Sequence, residues 1–280
     1  MSKALTIKSA LTKEDIIEGL LEIGVVPGMT LEVHGSLSSF GFVVGGAQAV
    51  VDALLEVLGP SGTILMPLHM GWNTEPSSWM YPPIEVELID KVRDSIPPFD
   101  KYGSEAYKMG AIVDNLRRRE DVVISNHPHV SFVSKGKYAN LLCNHQSLHF
   151  PLSSESPIAR LYEIRGFVLL LGVDYDRCTS VHLSEYATDV RPIIVQGSAV
   201  IQNGQRVWKK YLDLDLDSDE FVIPGRNLEA LGKVVRGKIG SCQTKLFSVN
   251  DVVDEATKFF ENKTSYNLYR IDPSGSDYTK

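Results

Sequence analysis

His182 and Glu185 stand three residues apart in His182-Leu183-Ser184-Glu185-Tyr186, a run that reads as the first turns of a helix. At this spacing two side chains are neighbours on a helix, so the carboxylate can hold the imidazole in one tautomer and stabilise its cation. Such a pair is a base with its orienter, and histidine is the side chain whose proton affinity suits proton removal near neutral pH. A lone histidine at a helix start more often caps or packs. Here the pair follows an apolar run, Phe167–Val173, that reads as a buried strand ending at Gly172-Val173-Asp174-Tyr175-Asp176. The carboxyl end of a buried strand is where α/β folds place chemistry.

A second chemical segment runs from Leu31 to Pro67. A short apolar run ends at His34, a Ser/Gly-rich loop follows, Val50, Val51, Leu54, Leu55 and Leu58 take helical spacing, and Thr63–Met66 is strand-like again. That is strand, loop, helix, strand, the shape of a βαβ crossover. In the loop Ser36, Ser38 and Ser39 offer hydroxyl donors, while Gly41, Gly45 and Gly46 let backbone approach a ligand before the helix starts. A phosphate suits that arrangement, and so does a plain flexible connection. Neither a Walker GKS/GKT nor the GxGxxG of a dinucleotide fold is present.

The segment VHGSLSSFGFVVGGAQAVVDALLEVLGPSGTILMP resembles the opening signature of the aminoglycoside N3-acetyltransferase family. Further pieces agree in order: Tyr107-Lys108-Met109-Gly110, SNHPHVSF at Ser125–Phe132, SPIARLYE at Ser156–Glu163, and LLLGVDYDRCTSVHLSEY at Leu169–Tyr186. The likeness spans roughly residues 12 to 260. It implies an N-acetyltransferase that uses acetyl-CoA, with direct transfer in a ternary complex and no metal. His182 becomes the general base and Glu185 its partner, since acetyl transfer to an amine needs a group that removes a proton as nitrogen attacks the thioester. His34, Gly35, Ser36, Leu37, Ser38, Val43 and Gly45 are the implied coenzyme-binding stretch, with Ser36–Ser38 holding the pyrophosphate and Ser104 and Met109 beside the coenzyme arm. Two departures stand out: Gly35 replaces the serine of many relatives, and a Thr-Pro pair is missing before the Met109 helix.

The rest of the chain must position these groups. Thr12-Lys13-Glu14-Asp15 carries the cap and acids of a helix start. Residues 68–100, rich in Pro, Trp and Ser, read as a lid or substrate wall with one short helix near Val86–Val92. In that wall Trp72, Trp79 and Tyr81 fit either stacking on a sugar or local packing. Met109, Ile112, Val113 and Leu116 predict a helix over 104–118, and Val122–Ile124 and Val130–Val133 predict strands around His127-Pro128. The two histidines there lack a carboxylate or cysteine to complete a ligand set, and a turn explains the proline. His145 and His149 are spaced i, i+4 but lack the HExxH glutamate, so a polar rim or substrate-side loop is the reading. Val195, Ala199 and Ile201 lead to an Asn203-Gly204 turn and return through Val207, Trp208 and Tyr211, a β-hairpin. Asp213, Asp215, Asp217, Asp219 and Glu220 continue it as an acidic edge that fits either attraction of a cation or protection of a strand edge. With Asp174 and Asp176, Asp213 and Asp215 are the candidate substrate-binding carboxylates.

A formal charge of −7 and pI near 5.5 argue against nucleic acid and allow a small cationic amine as partner. Absence of an apolar run of eighteen residues and of a signal-peptide core predicts a cytoplasmic chain with no membrane contact. Three cysteines, Cys143, Cys178 and Cys242, at no metal-type spacing argue against a disulfide framework. The expectation is one α/β domain over 1–262, a central mixed sheet flanked by helices (an α/β/α sandwich) with a C-terminal antiparallel subdomain, and a loosely ordered tail over 263–280. A homodimer stays open. Rival readings are a CoA-dependent acyltransferase for another amine, a non-catalytic CoA-binding protein, and a serine hydrolase using Ser36 with His182, which lacks the GxSxG elbow.

Overall fold

The structure is a computed structural model describing residues 7–263, so the expected tail lies outside the described residues apart from Lys263. Thr12 opens helix α1 (Lys13–Glu22) with a capping box: its hydroxyl accepts from the Asp15 N–H, and the Asp15 carboxylate accepts from the Thr12 N–H. Strand β1 (Thr30–Gly35), a 3₁₀ turn at Leu37–Phe40, helix α2 (Gly46–Leu58) and strand β2 (Thr63–His69) follow, the crossover read from the apolar spacing. Helices α3 (Ile89–Ser95) and α4 (Ala111–Arg117), strands β3 (Val123–Ile124) and β4 (Val130–Gly136), and helices α5 (Ala139–Cys143) and α6 (Pro157–Glu163) lead to β5 (Phe167–Leu171). Helix α7 (His182–Tyr186), the hairpin β6 (Ile193–Gln202) and β7 (Gln205–Leu214), helix α8 (Val222–Ala230), strands β8 (Val235–Ile239) and β9 (Cys242–Ser248), and helix α9 (Val249–Glu261) complete the described chain.

Seven strands form one mixed sheet in the order β3-β4-β2-β1-β5-β9-β8, and β6-β7 pair apart from it. β1, β2 and β5 run parallel at the centre, with antiparallel strands on either side. Because successive side chains alternate faces, Val33, Met66 and Leu169 pack with α1, α2 and α4, while Leu65, Val168 and Leu170 pack with α5, α6 and α9. Both faces are covered, which is why the central strands read as near-continuous apolar runs. This is the helix–sheet–helix architecture with a separate antiparallel pair expected from the sequence.

Three local expectations need correction. The helix foreseen over 104–118 is confined to Ala111–Arg117, because Lys108 takes a left-handed φ of 58° that breaks any helix before it. Strand β7 ends at Leu214, so only Asp213 of the acidic run is in a strand, and Asp219 already lies in a 3₁₀ turn. β5 ends at Leu171, two residues before the foreseen limit. The hairpin turn is as read: Asn203 and Gly204 have φ of 52° and 77°, the pair of left-handed residues a two-residue hairpin loop requires.

The 68–100 segment is latched to that hairpin. Asn73 donates to Pro128 O and Ala199 O, the Ala199 N–H donates back to Asn73 Oδ1, and the Arg206 guanidinium reaches Ile96 O. Its tryptophans pack locally, with Trp72 edge-on to Trp79 at 5.2 Å and against Tyr107 at 4.2 Å, whereas Tyr81 is exposed.

Candidate active site

The β1–β2 ladder ends at the pair Glu32↔Leu65, two residues before Pro67, which has no N–H to continue it. Beyond that point the carboxyl ends of β1, β2 and β5 border a cleft of about 700 Å³. His34, Gly35, Ser36, Leu37 and Ser38 enter it from β1, Pro67 and His69 from β2, Lys108 and Met109 from the segment before α4, and Val173, Asp176, Arg177, Thr179 and His182 from beyond β5. Past that point β2 stays paired with β4, His69 standing opposite Val130.

Helix α7 starts at His182, so Glu185 lies one turn on and directly behind the ring. The His182 Nδ1–H donates to Glu185 Oε2 at 2.5 Å, leaving Nε2 as the nitrogen free for chemistry. Glu185 is fully buried, and its other oxygen accepts from Arg191 Nε at 2.5 Å and from the Asp217 N–H at 3.2 Å. Arg191 in turn donates to Asp217 O and to Glu220 Oε2, at 2.9 and 3.2 Å. Burying a carboxylate is costly unless a cation and hydrogen bonds compensate it. The Phe221 ring sits edge-on to His182 at 4.8 Å and closes its back.

The turn leading into α7 is tied to β1 by a second polar cluster. Glu32, fully buried among apolar neighbours of the central strands, accepts from Ser180 Oγ at 2.5 Å and the Ser180 N–H at 3.3 Å. His34 Nε2 lies 3.2 Å from Glu32 Oε1 and accepts from the Thr179 N–H at 3.3 Å. His34 is thus both a wall of the cleft and a tether for the turn that carries His182.

Across the cleft Ser36 Oγ and Ser38 Oγ share a hydrogen bond of 3.0 Å. Ser36 therefore pairs with a hydroxyl and not with His182, the reverse of what a serine nucleophile requires. A Cβ at Gly35 would stand 3.0 Å from Ile112 Cδ1, so glycine here lets α4 close on the loop. Lys108 and Arg177 add two cations to the same cleft.

The cleft gathers His34, Gly35, Ser36, Leu37, Ser38, Met109, Asp176 and His182, with Glu185 behind. It does not gather the others. Val43 bridges to Leu11, and Gly45 caps α2. Ser104 Oγ accepts from the Asp100 N–H. Asp174 pairs with Lys245 and, at 2.8 Å, with Arg226; burial pushes its carboxyl up, but those cations and the Tyr175 N–H hold it below the usual range. Asp213 is buried, accepting from Tyr186 OH at 2.5 Å and the Leu214 N–H at 2.8 Å, and burial pushes its carboxyl up to about 6. Asp215 is exposed past the end of β7.

His127 spends its whole ring on backbone: Nδ1 accepts from the His129 and Val130 N–H groups, and Nε2–H donates to Leu148 O. His149 Nδ1 accepts from the Leu212 N–H. Among the described residues no group of three or more His, Cys, Asp or Glu is placed to hold a metal, and no helix is long and apolar enough to cross a membrane.

Comparison with known proteins gives the family. The family description for aminoglycoside 3-N-acetyltransferases matches residues 33–261. The chain belongs to the aminoglycoside 3-N-acetyltransferase family. These are acyltransferases, and both the cleft and the His182–Glu185 pair fall inside the matched span. The chain is 41% identical over 258 residues to the SPbeta prophage-derived aminoglycoside N(3')-acetyltransferase-like protein YokD of Bacillus subtilis (strain 168), covering 92% of this chain and 95% of that one. The crystal structure of YokD superposes with a TM-score of 0.89, covering 93% of this chain and 97% of that chain at 40% identity. Aminoglycoside N(3)-acetyltransferase VII of Streptomyces paromomycinus is 31% identical, over 90% of this chain and 92% of that one. The crystal structure of aminoglycoside acetyltransferase AAC(3)-Xa superposes with a TM-score of 0.82 at 31% identity, covering 90% of this chain and 93% of that chain.

His69, Lys108, Arg177, Arg191 and Glu32 were not singled out from the sequence. Glu32 alone carried a signal, a carboxylate inside the apolar run Leu31–Val33. The others reach the site through tertiary placement.

Proposed function

We propose that this chain transfers the acetyl group of acetyl-CoA to the 3-amino group of a 2-deoxystreptamine aminoglycoside, directly, within a ternary complex. The observation that carries the reading is the His182–Glu185 pair, bonded at 2.5 Å, opening into the same cleft as the Ser36–Ser38 loop. That cleft suits the co-substrate: the two hydroxyls of Ser36 and Ser38 and the cations of Lys108 and Arg177 are donors for a pyrophosphate. Bound acetyl-CoA supplies the acetyl group as a thioester.

His182 Nε2 takes the proton that the acceptor nitrogen sheds as it bonds to the acetyl carbon. Glu185 holds the ring and stabilises the imidazolium that results, and Arg191 holds that carboxylate in place. The Ser36 and Ser38 hydroxyls in that cleft could stabilise the negative charge that develops on the carbonyl oxygen. As the carbon–sulfur bond breaks, His182 returns its proton to the leaving thiolate and is neutral for the next turnover. The family's activity and the acidic net charge, −7, support a polycationic acceptor.

The test is release of free CoA thiol from acetyl-CoA by the purified protein across a panel of 2-deoxystreptamine aminoglycosides and simple diamines. Release with the aminoglycosides alone is expected. Release with diamines alone would reassign the acceptor, and coenzyme binding without turnover on any amine would leave a CoA-binding protein.

A further inference from the structure

His69 ends β2 opposite Val130 of β4, and the rest of the 68–100 wall follows it. Its ring lines the cleft with His182 and His34. Phe132 meets it edge-on at 6.1 Å and His129 at 6.4 Å, so packing fixes its orientation. Nε2 is buried without a hydrogen-bond partner among the described residues, as is Nδ1 of the neighbouring His129. A buried polar group without a partner is costly and uncommon. The ring itself borders a cleft large enough to hold a ligand.

We propose that His69 is an acceptor-binding residue: its imidazole hydrogen-bonds a hydroxyl or amino group of the acceptor beside the reacting nitrogen, and so sets which amine reaches His182. This rests on the reading of the cleft as the transfer site. The chemistry fits a cationic polyhydroxylated amine. Burial, then the neighbouring imidazoles of His182, His34 and His127, hold His69 neutral, with its proton affinity lowered to about 3. A neutral imidazole does not repel an ammonium, accepts a hydrogen bond at one nitrogen and donates one at the other. It cannot substitute for His182 as base, because so weak a base takes up little proton near neutral pH. His69 lines the same cleft as Ser36, Ser38, Lys108 and Arg177, from the strand that leads into the 68–100 wall.

The experiment compares His69→Phe and His69→Asn in the full chain, with acceptor and acetyl-CoA varied separately and thermal melting as the check on folding. Phenylalanine keeps the ring and removes both nitrogens; asparagine restores a donor and an acceptor. His69→Phe is expected to raise acceptor KM about tenfold, the worth of one lost hydrogen bond in a site built for it. Acetyl-CoA KM should stay within about twofold and the pH profile of kcat should not move, with His69→Asn recovering most of the loss. An unchanged acceptor KM in a folded His69→Phe, or equal rises in both KM values, would overturn the assignment while leaving the transferase reading intact. Wild-type protein that releases no thiol with any amine would overturn both. If His69→Phe does not melt cooperatively, His69→Gln replaces it, and the same shift in acceptor KM alone is required.

Discussion

The turn at His127 and the helix start at His182 hold the same side chain in packed surroundings, and they spend its two nitrogens differently. His127 accepts two backbone N–H groups at Nδ1 and donates to Leu148 O, so every nitrogen is consumed in fixing the β3–β4 turn. His182 uses Nδ1 alone, on a carboxylate anchored by Arg191, and leaves Nε2 at the cleft. The difference is one of valence. A histidine that closes all its hydrogen bonds stabilises a turn; one that keeps a nitrogen open beside an oriented carboxylate can carry a proton.

Removing each ring should therefore produce opposite phenotypes. His182→Ala is expected to lower kcat by roughly 10²–10⁴-fold while coenzyme affinity and melting temperature change little. Turnover close to wild type would remove His182 from the mechanism. His127→Ala should do the reverse, destabilising by about 2–4 kcal/mol through lost packing and two orphaned N–H groups, with kcat of the folded fraction near wild type. Loss of kcat without loss of stability would erase the distinction.

Acid sharpens the contrast further. Burial lowers His127 to about 4 and His69 to about 3, and pushes His129 well down. The unfolded chain accepts these protons below about pH 6.5 and the folded chain refuses them. Their contribution is present above about pH 6.5 and is lost as pH falls toward 4. Urea midpoints should thus decline across that window. The His127→Ala protein, though less stable at pH 8, should decline less steeply, by about 1.4 kcal/mol per pH unit for the one proton removed. Parallel slopes would mean that His127 already titrates normally in the fold.

Legibility in the sequence follows the range of the signal. Thr12 with Asp15, the Asn203-Gly204 turn, and the apolar stripe Val50–Leu58 declare their elements because each works within a few residues. His182 with Glu185 was legible for the same reason, being neighbours on one helical turn. Lys108 was not, because periodicity is blind to one left-handed residue that cuts a helix short. Arg191 was passed over although it lies six residues beyond Glu185, since it meets that carboxylate only after the chain turns back from α7. His69 owes its place to the pairing of β2 with β4, which no local pattern reveals.

Asp213 tests whether proximity to the site implies a role in it. Alternation of acids suggested a cation-attracting face, yet this carboxylate is 4% exposed, bonded to Tyr186 and the Leu214 N–H. Burial raises it to about 6, partly offset by those two hydrogen bonds. A raised carboxyl favours the folded state fully below its unfolded value near 3.9, and loses that benefit as pH rises through about 6. At pH 8 the buried charge therefore costs stability. An asparagine at this position would keep the acceptor oxygen for both partners without the charge, so Asp213→Asn should gain about 1–2 kcal/mol at pH 8 and nothing at pH 4, with acceptor KM unchanged. A weaker acceptor affinity with no gain in stability would return Asp213 to the substrate, and would make the region behind His182 part of the binding surface as well as its support.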